Sequence, residues 1–227
     1  MRIAVVAALI CGFSGVSVAQ DNVLDRRIES DAPGAAVVWV PDGVANGTFA
    51  WRVAQTAGVP LIFEASPLQY RDPAVIAERV DLSEHTVREA LDTLVAQDPR
   101  YRWEERDGVI VIRPGGLWSN PDDALNQPIP GLHGDALSAQ DVLAGVMRAM
   151  VGTHGSLSLP AAIDSKRFSL NVPEGTVLDV LVAAARVHGG LIWSVPDAAR
   201  GPDRAGFSLG FDTFAGGDTR ITGPAPR

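Results

Sequence analysis

Apolar residues recur along this chain with two alternating periods. Helical spacing governs Val87, Ala90, Leu91, Leu94 and Val95, and again Val177, Val180, Leu181, Ala184 and Ala185. Each stretch predicts a helix that buries one face. Just ahead of both, a threonine is followed three residues later by an acid, Thr86 with Glu89 and Thr176 with Asp179. This is the pattern in which hydroxyl and carboxylate satisfy each other's free backbone N–H groups at a helix start. Period two replaces the helical period before each helix, in Val80-Asp81-Leu82 and in Phe168-Ser169-Leu170-Asn171-Val172, which predicts short strands. After the first helix, Tyr101 to Arg106 meets Asp107-Gly108 and returns as Val109-Ile110-Val111-Ile112, a two-residue hairpin. After the second, Leu191 to Val195 leads through the longer loop Pro196 to Ala205 into Phe207 to Phe211. Upstream helical segments are expected at Phe49 to Ala57, before a strand Val59 to Phe63, and at Ser138 to Met150.

These elements form an internal repeat. Residues 80 to 103 align without a gap onto 170 to 193, with Glu84, Thr86, Val87, Leu91 and Trp103 matching Glu174, Thr176, Val177, Leu181 and Trp193. Because the matches fall at the cap, the buried helix face and the strand tryptophan, one unit of helix, strand, helix and hairpin is expected twice. The fold class expected is α+β, two small repeated domains, each with two helices packed against short, mainly antiparallel sheets. The first domain is expected over 34–114 and the second over 129–214. A linker rich in Gly, Asn, Asp and Pro spans 115–128, and a disordered tail 215–227. Domains this small bury only about 60% of their extended surface, so packing one on the other would stabilise both.

Composition changes the picture at the N-terminus. Arg2, an apolar run from Ile3 to Phe13 and the small residues Ser17-Val18-Ala19 predict a signal peptide over 1–19, cleaved before Gln20. The run is broken by Gly12, Ser14 and Gly15 and is short for an uncleaved membrane anchor. Ile10 ahead of Cys11 is too bulky for lipidation of that cysteine. Cleavage removes the only cysteine, which excludes disulfides, thiolate catalysis and cysteine–metal sites from the mature chain. The net charge of −8 makes nucleic acid and anionic lipid poor partners.

Catalytic chemistry finds little support in the side chains. His85, His133, His154 and His188 are scattered, and none forms a ligand pair on a helix face. A site built from His133, Asp135 and His154 is the one conceivable constellation, whereas His188, before Gly189-Gly190, is expected to close a helix against its last carbonyls. Nucleophile-elbow, phosphate-loop and dinucleotide motifs are missing from the sequence. The acid pairs Glu104-Glu105 and Asp122-Asp123 are adjacent, so on a strand they would point apart. Arg100, Tyr101, Arg102 and Trp103 interleave charge with aromatics, but strand alternation separates the two sets onto opposite faces. The chain is therefore expected not to be an enzyme and to carry no cofactor and no metal.

The stretch from Phe49 to Pro114 resembles the secretin and TonB short N-terminal domain. The residues that carry the likeness are Ala54-Gln55-Thr56-Ala57-Gly58-Val59 leading into Leu61-Ile62-Phe63, then Val80-Asp81-Leu82, Thr86 to Leu91, Tyr101-Arg102-Trp103 and Gly108 to Ile112. The resemblance covers about a third of the chain and recurs more weakly over Phe168 to Trp193. It implies two helices packed between two small sheets, and docking to another protein in the periplasm without chemistry. The expected function is an exported periplasmic tandem binding module for an envelope partner of the secretion, pilus or signalling type. A structural or chaperone-like spacer, and an enzyme with a cleft between the domains, are the rival readings. Docking is expected on the strand Phe207, Ser208, Leu209, Gly210 and Phe211, which alternates large and small residues and leaves one face and its edge bare.

Overall fold

A computed structural model of the chain describes residues 22–28, 38–39, 45–65, 80–82, 85–151, 165–195 and 209–213. The fold is α+β. The expected signal peptide 1–19, the expected tail 215–227, residues 196–208, which include Phe207 and Ser208, and His154 lie outside the described residues.

Two capping boxes open the helices where the sequence placed them. Helix α2 (Val87–Gln97) starts at Thr86, whose hydroxyl accepts from the Glu89 N–H at 3.2 Å while the Glu89 carboxylate accepts from the Thr86 N–H at 2.7 Å. Helix α4 (Val177–His188) repeats the arrangement between Thr176 and Asp179, at 3.2 and 2.8 Å. A third, between Ser138 and Asp141, opens α3 (Ala139–Val151). Hydrogen bonds from the Thr86 backbone and hydroxyl hold Glu89 below its ordinary 4.5, and those from the Ser138 hydroxyl and backbone hold Asp141 below its ordinary 3.8. Helix α4 ends at Gly189, whose φ of +78° suits glycine, and Lys166 donates to the His188 carbonyl there. The His188 ring itself is buried. It lies edge-on to Phe168, and its Nδ1 accepts from the Gly190 N–H.

One sheet dominates the architecture and takes strands from both halves of the chain. Its order is β11 (Gly210–Thr213), β10 (Leu191–Val195), β2 (Leu61–Glu64), β5 (Val109–Pro114) and β4 (Tyr101–Arg106). β2 runs parallel to both of its neighbours, β10 and β5, while β4–β5 and β10–β11 are antiparallel pairs. The β4–β5 turn places Asp107 and Gly108 at φ +53° and +81°, the primed turn that the Asp-Gly pair selects.

Alternation along these strands divides the core into two. Leu61, Phe63, Ile110, Ile112 and Ile192 pack with α2 and with α1 (Ala45–Ala57) on one face. Ile62, Val109, Val111, Leu191 and Trp193 pack with α3 and α4 on the other. Each half thus supplies the helical layer for one face of a shared sheet, and every residue of β2 and β5 is buried. This explains why both strands are apolar nearly throughout rather than alternating.

Among the described residues there are also three two-stranded ribbons: β1 (Val38–Trp39) with β3 (Val80–Asp81), β6 (Pro128–Ile129) with β9 (Gly175–Thr176), and β7 (Leu132–Leu137) with β8 (Phe168–Val172). Expectation and structure differ in two further places. Residues 115–128, expected as a linker, fold into 3-10 turns at Gly115–Leu117 and Ala124–Asn126, with Leu125 fully buried and Asp123 and Gln127 nearly so. Their Asn and Asp side chains close the turns by bonding to nearby backbone, so the composition that reads as a linker builds structure instead. Residues 22–28, ahead of the expected first domain, belong to its core, where Val23, Leu24 and Ile28 are buried.

Candidate functional site

The two edges of the sheet differ in chemistry. At one, β4 carries Arg102, Glu104, Glu105 and Arg106, and Arg106 donates to Glu104. A charged row of this kind discourages pairing with another strand. At the other, β11 presents Gly210, Phe211, Asp212 and Thr213 and, among the described residues, is hydrogen-bonded to β10 alone.

Three of the five residues expected to dock a partner are described, and all three come together at this edge. Leu209 and Phe211 are buried on the α3–α4 side, where the Phe211 ring meets Trp193 edge-on at 5.6 Å. Gly210 lies opposite Ser194, and a Cβ there would stand 3.0 Å from the Ser194 hydroxyl oxygen. The strand runs on past its expected end, so it includes Asp212, a charge that reading Phe207 to Phe211 left out. Asp212 is exposed on the α1 side and accepts from Trp51 Nε1 at 3.1 Å, which ties the terminal strand to the helix of the other half.

Behind the sheet lies a buried ionic cluster not anticipated from sequence. Arg113 Nε donates to Glu64 Oε2 at 2.6 Å, Nη2 to Asp123 Oδ1 at 2.6 Å and Nη1 to Asn126 Oδ1 at 2.9 Å. The arginine side chain is 0% exposed and both carboxylates 1%. Trp118 covers the guanidinium with its ring centroid 5.4 Å away. The signal for this site was Arg113 itself, a charge at the end of an otherwise apolar strand. Nε, Nη1 and Nη2 each donate to protein from a fully buried side chain, so the cluster braces the connecting segment against the sheet.

Beside it a shallow cleft of about 280 Å³ opens between Arg106, Trp118, Asn120, Thr176 and Asp179. Arg106 stacks over Trp118 at 5.8 Å and stands 3.9 Å from Asp179. The Thr176 hydroxyl in its lining donates to the Asp179 carboxylate at 2.7 Å, as part of the cap that opens α4. His133 and Asp135 of the conceivable histidine site are exposed along β7. Among the described residues no group of His, Cys, Asp and Glu could hold a metal ion, and no helix is long and apolar enough to cross a membrane.

Compared with protein-family models, with characterised proteins and with solved structures, the chain matches none.

Proposed function

We propose that this chain is an exported periplasmic module that docks a protein partner of the cell envelope, and that the partner sits on the edge of β11. The observation that carries the reading is the contrast between the edges. One is protected by a row of charges, while the other has a single acid and an apolar face reaching to its last strand. Strand addition uses such an edge, because backbone hydrogen bonds supply affinity and alternate side chains supply specificity.

The module consists of two copies of one unit of the short N-terminal domain type, and recurring contacts support this reading. Val87 N–H donates to the Arg26 carbonyl at 2.9 Å, and Val177 N–H donates to the Gln127 carbonyl at 3.0 Å. Arg27 bridges to the capping Thr86, and Pro128 pairs with the capping Thr176. Ahead of these contacts, Asn22 accepts from the Leu24 N–H and Asp123 from the Leu125 N–H, each opening a 3-10 turn. The hairpins share a register too, with Trp103 opposite Ile112 and Trp193 opposite Phe211. On this reading the copies start at Asn22 and Asp123.

In-cell photocrosslinking tests the function. A photoreactive residue at Thr213 should capture one specific envelope protein, and the same residue at Arg102 on the charged edge should not. Identical captures from both positions, or none from either, would return the protein to a spacer role. Mass spectrometry of the captured material should find Gln20 as the first residue.

A further inference from the structure

The edge of β11 left open among the described residues has a filled counterpart inside the same protein. In the first hairpin β5 carries β4 on one side and β2 on the other. β2 runs parallel to β5, with Leu61 beside Ile110, Ile62 beside Val111 and Phe63 beside Ile112. Aligning the hairpins through Trp103↔Ile112 and Trp193↔Phe211 puts Leu209, Gly210, Phe211 and Asp212 where Ile110, Val111, Ile112 and Arg113 stand. β10 then corresponds to β4, and the side of β11 left open among the described residues is the side on which β5 holds β2.

We infer that β11 accepts an extended segment of a partner protein running parallel to it, with apolar side chains beside Leu209 and Phe211 and a basic side chain beside Asp212. The inference rests on the docking reading above and specifies the partner's chemistry. Leu209 and Phe211 are each 6% exposed and face the α3–α4 core, so side chains added beside them would extend that apolar layer. Leu61 and Phe63 do the same for the opposite layer beside Ile110 and Ile112. One residue further along, Glu64 meets Arg113 at 2.6 Å. The corresponding place on β11 carries Asp212, the opposite sign, so the complementary residue on the incoming strand is Lys or Arg rather than an acid. The Asp212 carboxylate accepts from Trp51 Nε1 and from the Thr213 N–H, and each oxygen retains a second acceptor position for a cation.

Two synthetic peptides test this on the full exported chain. Both carry Val-Thr-Val followed by either Arg or Glu, between flexible Gly-Ser ends. Fluorescence anisotropy at low salt should show the Arg peptide binding about fivefold more tightly, the preference shrinking as salt rises. Asp212→Asn should abolish the preference, and Asp212→Lys should reverse it. A paramagnetic tag on the peptide's N-terminus should broaden the Leu209 amide before that of Thr213, as a parallel strand requires.

Equal affinities, a preference unmoved by either variant, or broadening at Thr213 first would overturn the inference. So would slow exchange of every β11 amide in the free protein, because the outer edge would then be covered already by the chain itself. Capture of an envelope protein from Thr213 with neither peptide bound would leave docking intact and refute the strand chemistry alone. Peptides that bind as expected, without any such capture, would refute docking in the envelope and leave the strand chemistry standing.

Discussion

Arg113→Met is the most informative single perturbation of this fold. Methionine matches the arginine stem in length, so the change removes charge and five donors while keeping much of the volume. It leaves the Glu64 and Asp123 carboxylates, each 1% exposed, without the cation now 2.6 Å from both. Removing one member of a buried ionic group costs about 3 to 5 kcal/mol. With two carboxylates affected the upper half applies, about 4 to 5 kcal/mol, against a total stability of about 5 to 15 kcal/mol for a typical protein. Asp123 would keep the Leu125 N–H at 3.0 Å, which limits its share of the loss. Arg113→Lys should fall between, since one ammonium cannot reach Glu64, Asp123 and Asn126 from a single position. The double variant Arg113→Met with Glu64→Gln should lose less than the two single changes together, because each removes the other's reason for being costly. Urea unfolding followed by tryptophan fluorescence reads all of this. With a slope of about 2 kcal/mol per molar, the Met variant should unfold about 2 M earlier. A loss under about 1 kcal/mol would refute the bracing role of the cluster.

Leu91→Ala and Leu181→Ala should each cost about 2 to 5 kcal/mol, since both leucines are almost completely buried. Both should lower the midpoint of one shared thermal transition, and two transitions that move separately would contradict the shared sheet. Gly131→Ala would drive a Cβ to 2.4 Å from the Val172 carbonyl oxygen, a backbone atom, whereas at Gly189 the obstacle is only the φ of +78°. Melting curves should therefore show a larger loss at Gly131 than the roughly 1 kcal/mol expected at Gly189. Glu89 and Asp141 have folded values below their ordinary 4.5 and 3.8, so they contribute stability that is present above those values and lost as pH falls through the lowered ones. Combining Glu89→Gln with Asp141→Asn should flatten the acid limb of the stability–pH curve, and an unchanged limb would show that other groups govern it.

Local rules carried the sequence reading furthest where one residue type answers one need. Thr86 with Glu89, Thr176 with Asp179 and Asp107-Gly108 each solve a backbone problem within a few residues, so the caps and the tight turn were readable directly. Sheet order was not, because it depends on which distant edge each strand finds. Leu61-Ile62-Phe63 and Leu191-Ile192-Trp193 both lack alternation, the mark of strands covered on two faces, yet nothing local says that they lie side by side. The 3-10 turns failed for another reason: three residues are too few for a period. Only the pairs Asn22 and Leu24, Asp123 and Leu125, and Ile28 and Ile129 show the likeness once they are placed together. The closing strand was legible only in part, because Phe207 to Phe211 alternates well in sequence while the pairing runs on through Asp212 to Thr213.

The insertion of β10 between β11 and β2 has a consequence for the order in which the molecule can be made. The first half is synthesised with β2 already flanked by β5, but its other side must wait for Leu191–Val195, which follows Leu61 by 130 residues. Until then β2 is an open parallel edge of Leu, Ile and Phe, and the layer around Ile62 and Val111 has no helices over it. Such pairings between distant strands are slow, because loop closure must precede any reward from contact. Exposed edges of this kind also recruit other chains. The late strand is therefore a timing device: a nascent or truncated chain that ends before it should be the aggregation-prone species, and completion of the C-terminal half should be the step that commits the protein to its native state.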